Sequence, residues 1–124
     1  MCDADCRSII RAIETIRCSA VCTEEELHAQ VAQALRACGL EPEHEARIAP
    51  RCRIDFMCGG VGIEIKKKRP ERAKLMAQLA RYAACERVQA LIVAAPRGVC
   101  LPEAIGGKKV TLIALERLWG ISLP

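Results

Sequence analysis

The stretch RIDFMCGGVGIEIKKK, from Arg53 to Lys68, has the pattern of a β-hairpin carrying an Asp, a Glu and a Lys. Strands over 53–56 and 61–66 flank the turn Cys58-Gly59-Gly60, whose glycines suit a tight connection. Side chains alternate along a strand, so Ile63 and Ile65 share one face while Gly62, Glu64 and Lys66 share the other. On the first strand Ile54 and Phe56 are expected to face one way, and Arg53 and Asp55 the other. The pattern predicts one apolar face for a core and a second face carrying Asp55, Glu64 and Lys66 together.

Two neighbouring carboxylates repel unless a cation lies between them, and their hard oxygens suit Mg²⁺ or Mn²⁺. Lys66, about two strand residues (roughly 6.5 Å) from Glu64, is placed to orient an attacking water or to offset developing negative charge. These residue types in this order outline a phosphodiester-cleaving site. The plainer meaning, a surface ion pair on a wet strand face worth well under ~1 kcal/mol, fits the hairpin alone equally well.

The next segment, PERAKLMAQLARYAACERV, shifts the balance. Pro70 suits a first helical position, and no further Pro or Gly interrupts the run up to Val88. Leu75, Leu79 and Tyr82, flanked by Met76 and Ala83, form an apolar stripe at helical spacing. Gln78 and Tyr82 are four apart and share that side. A tyrosine on such a stripe is ordinarily core; a glutamine beside it needs polar partners once buried.

Asp55, then Glu64-x-Lys66, then a helix bearing Gln78-x-x-x-Tyr82, resembles the PD-(D/E)xK nuclease superfamily. It is similar more narrowly to the RecB-type and lambda-exonuclease-type members with a Q-x-x-x-Y helix. The resemblance covers roughly residues 23–115 and departs from the motif at Ile54, where the superfamily often has Pro. It implies that Asp55, Glu64 and the backbone carbonyl of Ile65 hold a divalent metal, Mg²⁺ or Mn²⁺. It implies further that Lys66 acts on the attacking water and that Gln78 and Tyr82 support the site and the nucleic-acid backbone. The implied fold is α/β, a restriction-endonuclease-like mixed sheet flanked by helices, and the implied activity is a metal-dependent deoxyribonuclease acting on DNA, with RNA also open.

Many members of that superfamily complete the metal shell with a Glu from the first helix. TEEELHAQVAQALRACG offers Glu24, Glu25 and Glu26, and Glu26 is the candidate. Thr23-x-x-Glu26 is also a capping box, in which Glu26 bonds back to the Thr23 amide. His28, beside an apolar stripe, has a structural or solvated role as its ordinary meaning, and Glu45 on a following strand is a third possible ligand.

A chain of 124 residues suggests one domain, 1–124, with residues 1–22 as an N-terminal helical extension. Its hydrophobic share of 52% with 2% aromatic residues implies a core of aliphatic side chains and cysteine. The acidic opening Met1-Cys2-Asp3-Ala4-Asp5 has no basic lead or long apolar run, which predicts no signal peptide, no membrane span and a cytoplasmic location. Net charge is only +4, but Lys66, Lys67, Lys68, Arg69, Arg72 and Lys74 cluster beside the hairpin. Such a run is either a solvated face or a set of phosphate contacts giving sequence-independent affinity, and the adjoining hairpin favours the second. So small a domain leaves little surface for sequence readout, which points to structure-selective cutting or to a homodimer or partner protein.

Nine cysteines raise a thiol-rich regulatory or metal-storage protein as another class, yet no C-x-x-C occurs. Cys2, Cys6, Ile9, Ile13, Ile16 and Ala20 continue one apolar stripe, so the first pair has the pattern of small core residues. Some RecB-type relatives hold an iron–sulfur cluster, for which Cys2, Cys6, Cys18 and Cys22 are the candidates here. An odd number of thiols without targeting implies a reducing compartment. A further alternative is a catalytically inactive nuclease-fold domain that binds nucleic acid or serves in assembly.

The expected order is helix 3–17, helix 24–38 closed by Gly39, strands 44–49, 52–57 and 61–67, helix 71–85, a buried strand 88–95, a Pro/Gly loop, and strand 109–115. A short helix over 115–119 is expected to pack Trp119 against the body.

Overall fold

The computed structural model describes residues 2–18 and 21–118, and from residue 6 onward their side chains. Its secondary structure runs α1 (Cys2–Glu14), α2 (Glu24–Ala37), β1 (Glu43–Ala49), β2 (Cys52–Cys58), β3 (Val61–Ile65), α3 (Arg72–Ala83), β4 (Ala90–Ala95), β5 (Ala104–Ile105) and β6 (Lys108–Ala114). A 3₁₀ turn over Leu115–Leu118 follows. Trp119 lies outside the described residues.

The strands form one mixed sheet in the order β1-β2-β3-β4-β6-β5. β3, β4 and β6 are parallel, and antiparallel strands flank them on both sides. Every residue of β3 and β4 is buried, as parallel strands covered on two faces must be. One face carries α1 and α2, whose Ile9, Ile13, Leu27, Val31 and Leu35 pack on Phe56, Ile63, Ile65 and Ile92. The other carries α3, whose Leu75, Leu79 and Tyr82 pack on Ile54, Leu91 and Val93. Each such fully buried aliphatic side chain contributes roughly 1.5–3 kcal/mol. Among the described residues no helix is long and apolar enough to cross a membrane.

Local signals account for most boundaries. Thr23 and Glu26 form the expected capping box. α2 ends in a Schellman turn: Gly39 has φ +82°, its N–H bonds the Arg36 carbonyl, and Leu40 N–H bonds the Leu35 carbonyl. Pro70 stands outside α3 instead of opening it, because Glu71 is still extended and serves as N-cap. α1 stops at Glu14, where the Thr15 hydroxyl bonds the Ala12 carbonyl at 2.6 Å. β5 falls within the expected loop; Gly106 and Gly107, both at positive φ, form the turn that folds it onto β6.

Candidate active site

The hairpin departs from regular alternation at the level of Asp55. The β2–β3 ladder ends at the pair Phe56–Ile63, and β1 pairs with β2 at His44–Phe56 and Ala46–Ile54. Between those pairs Glu45 adopts φ +51°. The pleat turns over there, so Ile54 and Phe56 lie on opposite faces of the sheet, not on one. Ile54 fills the notch above Gly62, where an added Cβ would come within 2.6 Å of its Cδ1. The expected division into one apolar and one charged face is therefore replaced by two apolar faces with a gap between β2 and β3.

Carboxylates close that gap. Ile65 N–H donates to Asp55 Oδ2 at 2.8 Å, and Asp55 N–H donates to Glu64 Oε1 at 3.3 Å. Each acid takes up a backbone amide that the interrupted ladder leaves without a partner.

Glu64 is buried, 4% exposed, yet surrounded by donors. Lys66 Nζ is 3.1 Å from Glu64 Oε2, and Tyr82 Oη lies 3.0 Å from Oε1 and 3.1 Å from the Arg53 carbonyl. Burial, and then the charge of Asp55, raise the Glu64 carboxyl above its ordinary value against the pull of Lys66. Burial likewise raises Asp55, opposed by the Ile65 N–H. Tyr82, desolvated and beside a carboxylate, is held far above its usual range and stays a hydrogen-bond donor.

Two residues join this group that the spacing did not single out. His28 Nε2 lies 3.8 Å from both Asp55 Oδ2 and Glu24 Oε2, too far for a hydrogen bond. It is buried without a partner. His28 Nδ1 meets His44 Nε2 at 3.0 Å, and both rings lie against Phe56. When His28 Nδ1 donates the proton they share, Nε2 keeps an unprotonated lone pair on the side of Glu24 and Asp55, the tautomer a metal ligand needs. Burial, then His44, lowers the His28 pKa, favouring the neutral ring. Glu24 and His28, spaced i,i+4 on α2, were the available signal; the pleat reversal that brings His44 and Asp55 to them leaves none.

Glu26, the expected helix ligand, has its Oε1 on the Thr23 amide at 2.8 Å; Glu24 lines both clefts at Asp55, and Glu25 lines the one on the His28 side. Glu45 lines the His28 side of the site. A cleft of ≈ 640 Å³ opens beside Asp55, Glu64, Ile65 and Lys66, with Lys67, Lys68 and Arg69 along its wall. Arg72 bonds the Cys100 carbonyl, and Lys74 pairs with Glu71, so both sit outside that wall. Gln78 lies in an adjoining groove with Lys66 and Lys74 and does not line the cleft at Glu64. None of the cysteines whose side chains are described is in a disulfide. Burial, and then the contact with Cys22 at 3.6 Å, pushes the Cys18 thiol up to about 11, while Cys6 is in the core and the Cys2 side chain lies outside the described residues.

Among the described residues no three His, Cys, Asp or Glu side chains converge as a ready-made ligand set. The donor chemistry nevertheless fits a divalent cation: two carboxylates whose burial opposes ionisation, and an imidazole nitrogen buried without a partner. Comparison with protein-family models, curated proteins and solved structures finds no match.

Proposed function

We propose that this protein is a metal-dependent nuclease of PD-(D/E)xK type, hydrolysing phosphodiester bonds of DNA on a restriction-endonuclease-like sheet. One observation carries the reading: Asp55 and Glu64 bridge a broken hairpin reciprocally, with Lys66 and Tyr82 on Glu64 and a lysine-lined cleft in front. A surface ion pair accounts for none of this, because Glu64 is buried and its donors are arranged for an ionised carboxylate.

Asp55, Glu64 and the Ile65 carbonyl would hold Mg²⁺ or Mn²⁺. With His28 as a nitrogen ligand the set favours Mn²⁺, since Mg²⁺ prefers oxygen alone. Bound there, the ion supplies Lewis acidity toward the scissile phosphate and the attacking water. Lys66 stands at the cleft with its ammonium on Glu64, where it orients that water and offsets charge developing on the phosphate. Tyr82 fixes the Glu64 carboxylate. Lys67, Lys68 and Arg69 give the cleft the positive wall that a phosphate backbone requires.

The test is incubation of purified protein with linear, nicked-circular and branched DNA and with RNA, under Mn²⁺, Mg²⁺ or EDTA, beside Asp55→Asn. Cleavage that needs metal and disappears in the variant is expected. Unaltered cleavage by Asp55→Asn sinks the site assignment, and binding without cleavage on every substrate replaces the nuclease with a nucleic-acid-binding domain.

A further inference from the structure

We infer that nucleic acid leaving the cleft follows the exposed face of α3 to a second, arginine-rimmed groove at the β1–β2 turn, which grips its sugar–phosphate backbone. The inference rests on the nucleic-acid reading of the cleft and extends it to a surface outside the Lys66–Lys74 run. Lys74, Gln78 and Arg81, spaced i, i+4 and i+7 on α3, line a groove of ≈ 480 Å³ that begins at Lys66. Arg81 also lines a groove of ≈ 680 Å³, with the apolar Ile48, Ala49 and Pro50, and with Arg51, Arg87 and one acid, Glu86, so that three guanidinium groups stand against a single carboxylate in its lining. The two grooves are thus joined through one arginine. Lys74 to Arg81 spans about 10 Å of helix, or roughly three base steps of duplex.

The chemistry of this second groove suits a sugar–phosphate chain: guanidinium groups for the phosphates and apolar side chains for the sugars. Arg87 is balanced by Glu43 at 2.8 Å, but Arg51 and Arg81 have no carboxylate partner among the described residues. Arg51 supplies an independent sign. It has φ +59° at the third position of the turn Ala49-Pro50-Arg51-Cys52, where the backbone favours Gly or Asn. A side chain there strains the turn, and strain of this kind collects at functional positions.

Arg51→Gly gives the turn the residue it prefers, so it removes the charge without harming the fold. The experiment is fluorescence anisotropy of a labelled DNA duplex, in EDTA, over a range of salt. Wild type is compared with Arg51→Gly, with Arg51→Gly/Arg81→Gln and, as a control in the cleft, with Lys68→Gln. The double variant is expected to bind roughly tenfold more weakly at about 0.1 M salt. Its plot of log affinity against log salt should be shallower by roughly 1.8, about 0.9 for each lost phosphate contact. Melting of Arg51→Gly at or above the wild-type temperature accompanies that result. Wild-type affinity and slope in the double variant, with Lys68→Gln weakened, overturn the track and leave the cleft reading intact. Arginine-dependent binding by a protein that cleaves nothing under Mn²⁺ upholds the track and removes the nuclease. Arginine-dependent binding to phosphatidylserine vesicles, with none to DNA or RNA, overturns both.

Discussion

Replacing Tyr82 by Phe removes one hydroxyl from a buried ring and leaves its packing in place. That hydroxyl lies 3.0 Å from Glu64 Oε1 and 3.1 Å from the Arg53 carbonyl. It has one proton for the two acceptors, and the carboxylate is the stronger. A hydrogen bond to a charged group is worth about 1.5–3 kcal/mol, and an acceptor left buried forfeits most of that. With Glu64 4% exposed, water does not replace the donor. The expected loss is ~2 kcal/mol at about pH 8, a fall in Tm of roughly 6–10 °C for a domain of this length. The pH dependence identifies the cause. Burial and Asp55 hold Glu64 above its ordinary value, so this group's contribution is full at low pH and is lost as pH rises through its folded pKa. The Tyr82 hydroxyl limits that loss by bonding to the ionised form. The gap between wild type and Tyr82→Phe should therefore widen from about pH 5 to about pH 8. Urea denaturation at both values measures it. A gap below about 0.5 kcal/mol at the higher pH, or one indifferent to pH, refutes a hydrogen bond to ionised Glu64.

Asp55→Asn keeps an acceptor for the Ile65 N–H and removes the charge that raises Glu64. It should melt a few degrees above wild type near pH 8, a gain of roughly 1 kcal/mol, while losing cleavage; a lower melting temperature contradicts the like-charge account. Lys66→Ala should reduce turnover far more than Mn²⁺ affinity measured by calorimetry, and the reverse pattern assigns Lys66 to the metal. Stabilisation by Mn²⁺ should shrink as pH falls, since protons compete for two carboxylates whose pKa values are raised; thermal melts with and without metal across the acid range decide this. In Gly62→Ala the new Cβ meets Ile54 Cδ1 at 2.6 Å and Leu91 Cδ2 at 3.2 Å, so a loss of about 1–3 kcal/mol is expected in denaturation. An unchanged midpoint there means that Ile54 repacks freely.

The position of Tyr82 shows what periodicity conveys. Its place on the stripe of Leu75 and Leu79 put it in the core, where it is, and the spacing to Gln78 put both on one side of α3. Of the two, Tyr82 bonds Glu64, while Gln78 is half-buried in the groove that leads away along the helix. Helical spacing fixes the side a residue faces to within about a third of a turn, and that margin separates a site residue from a rim residue.

The sequence by itself determined the type and order of the main elements, the burial of β4, the capping box and Gly39 turn of α2, and the grouping of Asp55, Glu64 and Lys66 on one hairpin. Each of these is written in local pattern: apolar period, turn glycines, cap residues. Tertiary structure alone decided how the acids are arranged. The pleat reversal at Glu45 and Asp55, which sends Ile54 to one face and Phe56 to the other, depends on a notch at Gly62 and on two helices covering the opposite side. The same reversal brings His28 and His44 to Asp55 from separate elements. No local rule contains it, because a break in strand alternation is settled by which side chains fill which space once both faces of the sheet are covered.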